Sequence, residues 1–210
     1  GVRQRTFFIR NARSSIRLLT KMFPATPPSI TIHVFRNRES FLKIIHKKRA
    51  PDWLTAFVLP NSTTSVYLFD GGNKRTAKWT MVYHQTILHE IAHLYTNTVA
   101  SNLPDWIKEG ISVYIAAQIY KPSISTTDWK TIAPSGIPFK RVPWKVAVQH
   151  AGYNTAGLLV MFFVRRYGWK VFITAICSRA SKRSSFESIS RHFKEDPHRL
   201  MIEFKNKFVI

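Results

Sequence analysis

The segment TILHEIAHLY, residues 86–95, constrains the fold more than any other stretch of the chain. Ile87, Leu88, Ile91, Ala92 and Leu94 make it apolar nearly all round a helix, and such a helix is buried. Yet it carries His89, Glu90 and His93. Buried imidazoles and a buried carboxylate cost several kcal/mol unless they find partners. Residues four apart on a helix share a face, about one turn apart, so His89 and His93 can converge on one ion. Glu90 lies one residue round the helix, where it can reach a metal-bound water without ligating the metal. With 8 His among 210 residues, chance places an H-E-x-x-H in about one such chain in a hundred. A metal centre is therefore expected, and zinc is the usual occupant of such nitrogen sites.

A catalytic zinc usually takes three protein ligands and keeps one position open. Acidic residues are scarce, 11 in all, and downstream the near candidates are Asp105 and Glu109, both in LPDWIKEG. Asp105 falls in the first turn of the next expected helix, where it has a favourable charge role. Glu109 falls more than a turn in, flanked by Trp106, Ile111 and Val113, and an unpaired carboxylate there is costly. Glu109 is the expected third ligand. Other histidines, His33, His46, His84, His192 and His198, show no ligand spacing. His84 points away from the face of His89.

HEIAH followed by LPDWIKEGISVYIA resembles the peptidase MA-like group of gluzincin metallopeptidases. These pair H-E-x-x-H on one helix with Trp-x-x-Glu-Gly on the next. The likeness spans residues 29–117 and continues through Gly152-Tyr153-Asn154, Tyr167-Gly168 and the last two helices. It implies a zincin-like α+β fold: a small mixed sheet, with an edge strand over the zinc-binding helix, then a mainly helical C-terminal lobe. It implies His89, His93 and Glu109 as Zn2+ ligands, Glu90 as catalytic base, and hydrolysis of peptide or protein substrates. Tyr153 is the implied donor to the developing oxyanion, with His150 and Tyr114 as rivals. Residues 65–69 resemble the edge strand that pairs with substrate backbone. One departure stands out: some gluzincins carry an Asp four residues after the glutamate ligand, and here that position is Val113. Asp105 is the substitute considered. The alternative reading is a cationic binding or regulatory module whose zinc site is latent or non-catalytic.

The chain has 32 Lys and Arg against 11 Asp and Glu, a formal net charge of +21. A positive surface on this scale attracts anions: cell wall, lipid headgroups or nucleic acid. The basic residues are scattered, and Arg3-Gln4-Arg5, Lys47-Lys48-Arg49 and Lys182-Arg183 are the densest clusters. No nucleic-acid module is visible, and the aromatics follow core periodicity. A single cysteine, Cys177, excludes an internal disulfide and a cysteine-based metal site; its apolar surroundings predict a buried thiol. No apolar run reaches the roughly 18 residues of a membrane span. The chain starts at Gly1, so an upstream signal or anchor is expected to have been removed, and with it a secreted or cell-envelope location.

The organisation expected is one metallopeptidase domain over residues 1–210, with an α/β lobe over about 1–98 and a helical lobe over about 99–210. Periodicity predicts a helix at 8–22 with Ile9, Ile16, Leu18 and Leu19 on one side. It predicts a strand at 29–35 with Ile30, Ile32 and Val34 on one face, a helix at 39–48, and a hairpin from 56–59 and 64–70. After the break Gly71-Gly72-Asn73 comes the long helix 77–98. A helix at 103–119 is expected with Asn102 as N-cap and Pro104 in its first turn. The proline-rich stretch 122–143 reads as a loop covering the cleft. Helices follow at 155–167, 169–178, 184–193 and 197–208, the last capped by Asp196.

Overall fold

A computed structural model describes residues 2–52, 54–70, 77–178 and 186–210, with backbone alone at 2–4 and 77–79. The expected break Gly71-Gly72-Asn73, the cluster Lys182-Arg183 and the expected helix start at Ser184 lie outside the described residues. The protein is mixed α+β and divides into two compact units, Gly1–Val99 and Ala100–Ile210. Among the described residues no helix is long and apolar enough to cross a membrane.

The first unit begins with α1, Val2–Met22. Its core-facing stripe is Phe8, Ala12, Ser15 and Leu19, continued by Phe23 beyond the helix. This corrects the expected face: Leu19 is buried, but Ile9 and Leu18 are exposed. Spacings of three and four from Phe8 select the stripe, and the aromatic rings anchor it. Three strands follow, β1 (Thr31–Phe35), β2 (Ala56–Phe57) and β3 (Ser65–Phe69), with α2 (Arg38–Ile44) between the first two. Asn37 caps α2 by accepting from the Ser40 amide. The helix ends at Ile44, short of the expected Lys48, because His46 turns into the left-handed region.

The sheet order is β1-β3-β2, with β1 parallel and β2 antiparallel to β3. Residues 65–69 therefore form the central strand and not the expected edge. The chain segment 56–57 folds back onto Tyr67 and Leu68, and their backbone groups are taken on both sides. Val66 and Leu68 are buried on one face of β3. Val34, expected inside, is exposed, and β1 buries no residue fully.

The long helix α3 runs over Ala77–Ala100. Ile87, Ile91 and Leu94 are wholly buried. Polar ties fix its position in this unit. Tyr95 Oη hydrogen-bonds with Thr20 Oγ1 at 2.7 Å, Asn97 Nδ2 donates to Ser62 O at 2.9 Å, and His84 Nδ1 meets Asn11 Oδ1 at 2.8 Å.

The second unit is helical: α4 (Asp105–Ile115), α5 (Thr126–Ile132), α6 (Trp144–Ala147), α7 (Gly152–Tyr167), α8 (Trp169–Ser178), α9 (Phe186–His192) and α10 (Pro197–Phe208). Pro104, not Asn102, takes the N-cap position of α4, with no side-chain cap. The helix stops at Ile115, because Ala117 adopts a positive φ of 53°. The stretch 122–143 is not all loop. Ser125 accepts from the Asp128 amide and starts α5, the [ST]-x-x-[DE] signature present in the sequence. Cys177 is half-buried, less than expected, and its burial pushes the thiol pKa up.

Helices α4 and α7 pack so closely that two glycines are required. A Cβ on Gly110 would stand 2.6 Å from the Ala156 carbonyl oxygen, and one on Gly157 would strike Val113. Behind the crossing, Arg166 on α7 bridges Glu203 at 2.6 Å and Glu195 at 2.8 Å. In an open helix, Gly→Ala stabilises by about 1 kcal/mol. Here Gly110→Ala is expected to destabilise by about 1–3 kcal/mol through overpacking, read as a lower midpoint in urea denaturation. An unchanged or raised midpoint would contradict the close crossing.

Candidate metal centre

On α3, His89 and His93 are half-buried and Glu90 is only 9% exposed. The two rings stand 4.8 Å apart between centroids, tilted by 72°. Their Nε2 atoms are 3.1 Å apart. Two neutral imidazoles meet this way only if one donates to the other, whereas two lone pairs so close face a shared cation. Ligands about 2.0–2.1 Å from one tetrahedral ion stand about 3.3 Å from each other. The observed spacing fits that demand.

Glu109 sits half-buried on α4, between the buried Trp106 and Val113. One ligand atom from each of His89, His93 and Glu109 lies within 4.8 Å of the other two. This group can hold a metal ion. Two imidazoles and one carboxylate leave a four-coordinate ion one position short. Asp105, the other carboxylate considered, is exposed in the first turn of α4, and the metal-capable group does not include it.

Lys108 is the cation nearest in sequence to Glu109. It donates to Ser101 O at 2.6 Å. Burial pushes its ammonium pKa down, opposed by the charges of Asp105 and Glu109. Val113, where some gluzincins carry Asp, packs toward Gly157 and so serves the α4–α7 crossing. Tyr153 is half-buried at the start of α7, edge-on to Trp144 at 5.3 Å. Its rivals have other neighbours: Tyr114 stacks on Trp169, and His150 Nδ1 lies 3.6 Å from Asp128 Oδ1. His33 stacks on Tyr67 and His84 Nδ1 hydrogen-bonds with Asn11 Oδ1.

Sequence reasoning missed a pocket at the start of α4. It has a volume of about 310 Å3 and is lined by Pro104, Asp105, Trp106, Phe139, Val142 and Trp144. Asp105 and Glu109 are four apart, so the pocket begins one helical turn from Glu109. Phe139 stacks on Trp106 at 5.6 Å, held there by a positive φ of 61°. The alternating aromatics and prolines of 134–144 were the available signal.

No protein-family model matches the chain, and no curated protein or solved structure matches it.

Metal-free protein titrated with zinc is expected to bind about one ion per chain. His93→Ala and Glu109→Ala should each weaken binding beyond the roughly 10–100-fold that outer-sphere changes cost. Asp105→Ala should leave it within a few-fold. Calorimetry that ranks Asp105 above Glu109 would contradict the ligand assignment.

Proposed function

We propose that the chain is a zinc-dependent metalloendopeptidase with a zincin-like fold, of the kind its paired motifs resemble. The supporting observation is convergence. H-E-x-x-H and Trp-x-x-Glu-Gly were selected by separate arguments, and their three ligand atoms lie within 4.8 Å of one another. A buried carboxylate, Glu90, directly follows one ligand in the chain.

Bound zinc supplies Lewis acidity, which brings the pKa of a water towards about 7 and polarises a carbonyl. Glu90 is the general base: its carboxylate takes a proton from the attacking water and hands it to the leaving amine. Tyr153 Oη is assigned as donor to the oxygen that gains charge. The pocket of Trp106, Phe139 and Trp144 is assigned to a substrate side chain, a role that the central position of β3 denies to backbone pairing along residues 67–69. A structural or latent site has no use for a base beside its ligands, and this weighs against the binding-module alternative.

The test is Glu90→Gln, which keeps the shape and removes the basic oxygen. The variant is expected to bind zinc like the parent while cleavage of a mixed peptide library falls by roughly 10²–10⁴-fold. Normal cleavage by the zinc-loaded variant would overturn the mechanism.

A further inference from the structure

The outward face of α1 is a stripe of one charge. Arg10, Arg13, Arg17 and Lys21 follow one another at spacings of three and four and are all exposed. On a helical wheel they fall within about 80°, opposite Phe8, Ala12, Ser15 and Leu19. Helix α1 contains no acidic residue. Among the described residues no carboxylate pairs with any of the four cations.

Elsewhere a few cations are tied into the structure by carboxylates. Arg166 bridges two glutamates and Lys140 pairs with Glu187. Like charges three or four apart on a helix repel and destabilise it. The stripe keeps that cost, and within it Arg17 Nε donates to Arg13 O at 3.4 Å. What it does contribute is a straight row of donors about 16 Å long, from Arg10 to Lys21.

We propose that this face of α1 docks the protein on an anionic membrane surface. The charge is complementary to lipid phosphates, and the row is straight enough to meet a plane along its whole length. Two large apolar side chains exposed on α1 among the described residues, Ile9 and Leu18, lie on opposite flanks of the stripe. An interfacial helix places such groups at the headgroup boundary. A nucleic-acid backbone has no use for them, and the stripe holds no aromatic ring on which a base could stack. The membrane then acts as a surface that concentrates the protein. The inference is independent of the peptidase reading.

The test is a vesicle partition measurement on the full chain. Phosphatidylcholine vesicles containing about a third phosphatidylglycerol should bind it, and pure phosphatidylcholine should not, with affinity falling as salt rises. Replacing Arg10, Arg13, Arg17 and Lys21 together by Gln should weaken partition by roughly fivefold per cation. A charge-matched set, Lys170, Arg191, Lys194 and Lys205 to Gln, should have a far smaller effect. If the fourfold variant fails to fold by circular dichroism, the pair Arg13→Gln and Arg17→Gln carries the same comparison. Equal losses from both sets would show net charge at work and not the stripe. Failure of the parent to bind anionic vesicles, or tighter binding to duplex DNA at equal phosphate concentration, would overturn the proposal.

Discussion

Two imidazoles and a carboxylate sit on a helix whose other neighbours are buried, and that conflict governs the first unit. Ile87, Ile91 and Leu94 draw α3 into the core. His89, Glu90 and His93 go in with them and lose water in doing so. The helix is then pinned by hydrogen bonds from Tyr95, Asn97 and His84 to groups on other elements. Such pinning fixes the rotation of α3, while the 3.1 Å between the two Nε2 atoms follows from their spacing of four on one helix face. A cation shared by His89, His93 and Glu109, a group that can hold one, would offset that loss of water.

The second unit meets a different demand. Glu109 must be held on a rigid element if it is to act as a ligand. Its own helix is short and lacks a side-chain cap. The rigidity comes from α7, pressed so near that Gly110 and Gly157 have no room for a methyl group. Gly110 therefore follows Glu109 for a steric reason: the backbone of α7 occupies the space beside it. The Arg166 bridges to Glu195 and Glu203 tie α7 in turn to the C-terminal helices.

Much of this was legible in the residues. The helices 169–178 and 197–208 appear with the expected bounds, the second because Asp196 and Pro197 mark its start unambiguously. Glu109 was separable from Asp105 because a carboxylate amid Trp106, Ile111 and Val113 needs a reason to be there. Other features depend on tertiary contacts that local patterns do not encode. The hairpin of 56–59 with 64–70 was legible and appears as the antiparallel pairing of β2 with β3, but no local pattern announces that β1 pairs along the other side of β3 and so makes it central. The core face of α1 was misread because Ile9 and Leu18 are as apolar as Leu19, and only the neighbouring elements decide which is covered. Within 122–143 the prolines outweighed the Ser125 cap in the reading, and α5 was lost. The pocket beside α4 required three aromatic residues from separate segments to meet.

His89, His93 and Glu109 form a group that can hold one metal ion, and three protein donors would leave a position open. X-ray absorption at the zinc edge of the loaded protein tests this most directly. The expected first shell has two imidazole nitrogens and light oxygen donors at about 2.0–2.2 Å, with one oxygen exchangeable for a small inhibitor. A shell containing sulfur from Cys177, or four protein donors with no exchangeable position, would contradict it.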